Sequence, residues 1–288
     1  MKLFILSITL LSSLSIFACS EDGRGGIVED NDLYIPHDAK YMGGITEEQF
    51  NAVISKIETI YMPLASSMGG KLKIARKWKD GTVNANASRG FGGAWNVNMY
   101  GGLARHATIT EDGFALVLCH EIGHHMGGAP KNGGMMAWAS NEGQSDYFAT
   151  LKCLRKTFLN DNNAEIVSSL NAPAALVAGC EKTHRSTEDK NICIRTGMAG
   201  MSVGRLFAAL RNQADPSFDV TDTNVVTTTF NQHPATQCRL DTYFQGSMCD
   251  VGMNEDVSQK EEVQGTCHAT LGYDVGLRPL CWFKPKAQ

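Results

Sequence analysis

An α+β fold is what this sequence predicts: a small N-terminal sheet packed on a central helix, then a mostly helical C-terminal part held by disulfides. Three observations carry it. Strand-like segments bounded by turn residues cluster between Leu72 and Tyr100. Phe114, Leu116, Val117, Leu118, Cys119 and Ile122 make one helical segment apolar nearly all round, as a helix inside a core is. Apart from Cys19, the cysteines all lie from Cys119 onward, an even set of eight in a chain of 288 residues.

The N-terminus comes first. Lys2 supplies a positive start, Leu3 to Phe17 an apolar run, and Ile16-Phe17-Ala18-Cys19 a cleavage site, so residues 1–18 resemble a bacterial lipoprotein signal peptide with Cys19 as the lipidated residue. Ser20 after that cysteine implies, by analogy with Gram-negative sorting, an outer-membrane lipoprotein on the periplasmic or extracellular face. An ordinary secretory signal cut nearby is the alternative. Residues 19–43, with Glu21, Asp22, Glu29, Asp30, Asp32 and several glycines, read as a flexible tether. No other stretch has the roughly 18 apolar residues of a membrane span. Residues 44–288 then suit one globular domain, at 43% hydrophobic and 19% charged residues for the whole chain. A net charge of -4 without a basic run argues against a nucleic-acid partner.

Within the domain, Thr46-Glu47-Glu48-Gln49 is a capping-box pattern, and Phe50, Val53, Ile54, Ile57, Ile60, Tyr61 and Leu64 follow at helical spacing until Gly69-Gly70. Leu72 to Trp78 is expected as a strand, Asp80-Gly81 as a hairpin turn, and Val83 to Ala87 as the returning strand. A third strand, Ala94 to Tyr100, is read as the edge strand, open to pairing with an extended peptide. Thr110 caps the apolar helix, Glu111 and Asp112 favour its positive end, and Gly127-Gly128 closes it. A second helix is expected from Glu142 to about Leu159, with further helices near 164–178, near 202–213 and from Pro234. Eight cysteines in an exported chain imply four disulfides with 105 possible connectivities, of which Cys180 with Cys193 and Cys267 with Cys281 would close short loops. Without any C-x-x-C, thiolate metal ligation is disfavoured.

The chemistry sits on the two central helices. His120-Glu121-Ile122-Gly123-His124 places two imidazoles four residues apart on one helix face with a carboxylate beside them. Asn141-Glu142-Gly143-Gln144-Ser145-Asp146 begins seventeen residues later. A tetrahedral zinc ion with an open position needs a third protein donor, and Glu142 is the best placed; Asp146, one turn on, can hold the outer N–H of a ligating histidine. A core helix with two satisfied histidines is the bland alternative. It is weakened because polar groups on so apolar a helix must be paired, and one metal ion pairs them all.

H-E-x-x-H followed by a helix bearing E-x-x-x-D resembles the gluzincins, the thermolysin superfamily of zinc metallopeptidases, whose zincin-like fold would then be expected. The metzincin pattern is less well matched, since Gly127 is in place but Pro130 stands where a third histidine belongs. His233-Pro234 with Arg239 six residues after the histidine is similar to the C-terminal motif of the HtpX and CAAX-prenyl-protease type of peptidases, where these residues support the transition state. The resemblance covers about Ala94 to Arg239. It departs in the short spacing of the two helices, the absence of membrane helices and the dense cysteines, so no substrate is carried over.

The resemblance implies one Zn²⁺ held by His120, His124 and Glu142, Glu121 as general base, His233 at a helix start and Arg239 as oxyanion supports, and a peptide or protein substrate. Tyr243 is a lesser candidate. His37, His106, His125, His184 and His268 have no ligand spacing, and Met135, Met136 and Trp138 are pocket or cover residues. The function expected is a zinc endopeptidase of the cell envelope, joined to the membrane by an N-terminal lipid. A lipoprotein with a structural metal, or an exported amidase acting on cell-wall peptides, is the alternative.

Overall fold

The computed structural model of the chain describes residues 16–17, 26–39 and 43–286. Most of the leader, with Cys19 and Ser20, lies outside the described residues. Ile16–Phe17 form a two-residue strand, β1. In α1 (Glu47–Ser67) the capping box is complete, because the Thr46 hydroxyl accepts from Gln49 N while the Gln49 side chain accepts from Thr46 N. Its buried face is Phe50, Val53, Ile54, Ile57 and Tyr61, at the predicted spacing.

Three strands follow, β2 (Lys71–Lys77), β3 (Ala85–Arg89) and β4 (Ala94–Tyr100). Two expectations about them are corrected. Asp80-Gly81 does not close a hairpin, since β2 and β3 pair on opposite sides of β4: β2 runs parallel to it from Lys71↔Ala94, and β3 antiparallel from Ala85↔Met99. The turn's polar groups are satisfied elsewhere, by α2 (Gly101–Arg105): Gly102 N donates to Asp80 O, Leu103 N to Thr82 O, and the Arg105 guanidinium to Trp78 O and Asp80 O. Glycine is required for that approach, since a Cβ on Gly102 would stand 1.9 Å from Gly81 O. The second correction follows from the first. Ala94–Tyr100 is a central strand between β2 and β3, and β3 in turn pairs antiparallel with β1 through Ser88 and Arg89.

Thr110 starts α3 (Glu111–Met126) by accepting from Gly113 N, and Gly127 ends it, both as predicted. Every residue from Gly113 to Met126 is buried, which explains the absence of a polar face. Asn141 caps α4 (Glu142–Phe148), which continues through one π-helical turn, Ala149–Cys153, into α5 (Leu154–Phe158), so the predicted second helix is present with a bulge in it. Pro173 splits the helix expected over 164–178 into α6 (Asn163–Ser168) and α7 (Ala174–Thr183). The long α8 (Thr187–Leu210) begins well before the expected 202. Its opening turns are polar, so apolar periodicity misses them; Ser186 caps them by accepting from Asp189 N, and the buried Arg195 forms ion pairs with Asp112 and Asp161. α9 (Thr236–Met248) is capped at Ala235, so Pro234 lies just ahead of the helix rather than at its first position.

Four disulfides join Cys119–Cys153, Cys180–Cys193, Cys238–Cys281 and Cys249–Cys267. The Cys180–Cys193 loop is as expected, whereas Cys267 and Cys281 bond to opposite ends of α9 instead of to each other. The tail lies along that helix, and a bridge at each end fastens it. Within Gly26 to Ala39, read as part of the tether, Ile27 and Val28 are instead buried in the main core and Tyr34 bridges to Thr82, while most of residues 29–39 is exposed. The architecture is thus α+β and mostly helical, with α3 between the small sheet and α8.

Candidate metal centre

The cap at Asn141 decides where α4 begins, and its second turn lies against α3 at Gly123, where a Cβ would come within 3.1 Å of Ser145 Cα. Behind this contact the Cys119–Cys153 disulfide ties α3 to the π turn one residue before His120. The two helices are therefore held at close range, and Glu142 meets both histidines. His120 Nε2 is 3.3 Å from Glu142 Oε2, His124 Nε2 is 3.6 Å from Oε1, and the three ligand atoms lie within 4.8 Å of one another. The imidazoles stand nearly perpendicular, at 87°.

Each imidazole is oriented through its other nitrogen. His120 Nδ1–H donates to Asp146 Oδ1 at 2.7 Å, as the sequence predicts. His124 Nδ1–H donates to Ser140 O at 2.9 Å, with Ser145 Oγ at 3.0 Å, contacts not foreseen because a main-chain carbonyl leaves no mark in sequence. Both bonds leave Nε2 turned toward Glu142. His120 Nε2, both Glu142 oxygens and both Glu121 oxygens are buried without a hydrogen-bond partner. Leaving such a set unpaired would cost several kcal/mol, of order 1–3 for each group. The donors fit a single divalent ion, which would satisfy His120 and Glu142 together; oxygen and imidazole donors in this number suit zinc, though the set does not select it over similar ions.

Electrostatics separate the groups. Burial works to lower His120, but the Asp146 and Glu142 carboxylates together outweigh it and bring the imidazole to about 9, whereas burial takes His124 down to about 4. Basicity toward a proton is also basicity toward a metal, so Asp146 strengthens His120 as a donor. Burial raises the Glu121 carboxyl to about 8, with His120 opposing and Glu142 reinforcing the rise. A divalent cation on the three donors would oppose that rise and favour the carboxylate form, which can accept a proton.

Asp146 is the hub beneath the site. Besides His120 it accepts Arg239 Nε at 2.7 Å and Nη2 at 2.8 Å, and the Tyr243 hydroxyl at 2.7 Å. Arg239 is fully buried, stacked with its Cζ 4.0 Å from the centre of the Phe207 ring. It positions Asp146, and its Nη2 also lies 4.0 Å from Glu142 Oε2. Tyr243 likewise positions Asp146. His233 lies beside the donors, with Nε2 3.3 Å from Glu142 Oε2 and donating to Gly26 O at 2.8 Å.

That last contact belongs to a strap missed in the sequence. Arg239 Nη1 donates to Ile27 O at 2.7 Å, Ile27 N donates to Ala85 O, and Arg211 joins Glu29 to Pro234 O. Residues 26–29 thus fasten the His233-Pro234 turn and Arg239. Ile27-Val28, an apolar pair inside an acidic, glycine-rich run, was the available sign. Elsewhere His125 points away from the metal donors and stacks between Trp95 and Trp138, while His184 Nε2–H donates to Ser247 O. Met135 is exposed and Met136 buried.

No family model matches the chain, nor does any curated protein or solved structure. Among the described residues no helix is long and apolar enough to cross a membrane.

Proposed function

We propose that this protein is a zinc-dependent endopeptidase of the bacterial cell envelope, of the gluzincin kind and zincin-like in fold, anchored through lipid on Cys19. The observation that carries the reading is the Glu121 carboxylate, buried and unpartnered beside three converging metal donors. A purely structural site has no use for a base there. An ion held by His120, His124 and Glu142 supplies Lewis-acid polarisation of a carbonyl and a water acidified toward about pKa 7. Glu121 takes the proton of the attacking water and delivers it to the leaving amine, so that peptide C–N cleavage consumes one water and releases an acid and an amine. His233, beside Glu142, supports the developing oxyanion once its bond to Gly26 O is released. Asp146 and Arg239 hold His120 in place.

A second reading, a metal that only staples the fold, is favoured by one fact: none of His120, Glu121, His124 and Glu142 is more than 1% exposed. Glu121→Gln separates the two. On casein and a quenched-peptide panel, turnover is expected to fall about 10²–10⁴-fold with zinc content unchanged, the size of a lost general base. Equal turnover by wild type and variant, sensitive or not to chelator, removes the enzymatic reading.

A further inference from the structure

One cluster near the metal donors has no part in the chemistry above. Arg89, at the end of β3, lies with Cζ 4.1 Å from the Trp95 ring centre and 5.1 Å from that of Trp138. Both indoles stack on His125, the residue after a metal donor, at 5.3 and 5.0 Å. Lys131 Nζ donates to Trp138 O at 2.9 Å, and is near enough to Arg89 for the two charges to repel. The walls of this corner are aromatic and its charge is wholly positive.

What its donors lack, among the described residues, is an anionic acceptor. Arg195 and Arg239 meet carboxylates, and Arg105, Arg155 and Arg278 each donate to several carbonyls. Arg89 makes a single long bond, Nη2 to His125 O at 3.4 Å, and its buried Nε has no partner; the buried Trp138 Nε1–H has none either. His125 Nδ1 is also unpartnered, but since Nε2–H donates to Asn96 O it is a bare acceptor and no part of the donor set. Burial lowers Arg89 to about 10; burial, then the charge of Arg89, lowers Lys131 to about 8, with no acidic residue opposing either. A desolvated guanidinium with a free Nε–H is paired best by a planar anion that takes its fork.

We propose that Arg89, Lys131 and the Trp138 indole form a carboxylate-binding subsite beside the metal centre, so that the favoured substrate is a peptide presenting an acidic side chain or its own C-terminal carboxylate there. This rests on the peptidase reading. The location suits it, because β1 pairs antiparallel with β3 at Arg89 and so shows that an extended chain can run past this side chain. Arg89 and Lys131 act as specificity residues and take no part in bond breaking.

The test uses zinc-loaded protein starting at Ser20, which lacks the β1 segment that pairs at Arg89, carrying Glu121→Gln, and a matched set of fluorescent hexapeptides: neutral with an amide end, the same with one Gln changed to Glu at each position, and the same with a free C-terminal acid. At least one acidic member is expected to bind about tenfold tighter or more than the neutral one, in a salt-sensitive manner. A Glu-bearing amide peptide identifies a side-chain carboxylate, and the free-acid peptide a terminal one. Arg89→Gln and the surface-accessible Lys131→Gln should each shrink the preference toward one while leaving neutral-peptide affinity alone, and Arg89→Lys should restore part of it. Equal affinity across the set, no binding by any member to folded zinc-loaded protein, or a preference that survives Arg89→Gln overturns the subsite. With Glu121 intact, acid-selective binding without cleavage removes the peptidase and keeps the subsite; cleavage without acid preference does the reverse.

Discussion

Asp146→Asn is the most informative change, because four hydrogen bonds to one fully buried carboxylate hold the base of the metal centre. The substitution keeps shape and removes charge. Arg239 would keep Ile27 O, the face of Phe207, one neutral amide oxygen and the Glu142 carboxylate 4.0 Å away, and an amide NH₂ would confront the other arm of its guanidinium. Stranding one member of a buried pair costs about 3–5 kcal/mol. For a domain of this size that is a fall in melting temperature of roughly 6–20 °C. His120 would at the same time lose the charged acceptor that raises its basicity, which costs about 10–100-fold in metal affinity. Thermal denaturation of the zinc-loaded protein gives the first quantity, and chelator competition the second. Arg239→Met alone should also be severe, since it leaves Asp146 charged and buried, whereas the double variant should be milder than the sum by about 0.5–3 kcal/mol of coupling. A single variant within about 1 kcal/mol of wild type, with unchanged zinc affinity, would refute the hub, for no well-made buried ion pair is that cheap to break.

Further outcomes follow from the strap and the buried histidines. A protein starting at Gly43 should be less stable than one starting at Ser20 by about 3–6 kcal/mol, the burial of Ile27 and Val28 at roughly 1.5–3 kcal/mol each, and should bind zinc more weakly; identical denaturant midpoints for the two would show that residues 26–29 are dispensable. His125 and His184 are both held below their ordinary value of 6.5, chiefly by burial. The unfolded chain therefore binds more protons below that value, so their contribution to stability is fully present above about pH 6.5 and is lost as pH falls toward the folded values. Melting temperature should drop between pH 7 and pH 5, and His184→Gln should flatten that drop; an unchanged slope would remove His184 from the account.

The helix starts at Thr46 and Thr110, the apolar character of α3, and the face shared by His120 and His124 were all legible in the chain, because capping and helical periodicity are local. Glu142 and Asp146 were legible for the same reason, through spacing and residue chemistry. The start of α8 was not, since its first turns are polar and are held by distant carboxylates, Asp112 and Asp161.

The order of the strands, the pairing of Cys238 with Cys281 and of Cys249 with Cys267, the burial of Arg239 under Asp146, and the strap at Ile27 were decided only by the tertiary structure. A strand that prefers β structure does not choose its neighbour, and a cysteine does not choose its partner, until the packing of remote segments brings them together. The same holds for Arg89. It lies beyond the strand expected over Val83 to Ala87, and only the arrival of Trp95, His125 and Trp138 from three other segments half-buries it. Local chemistry marked the three side chains that could hold a metal ion; long-range packing set the charges that surround them.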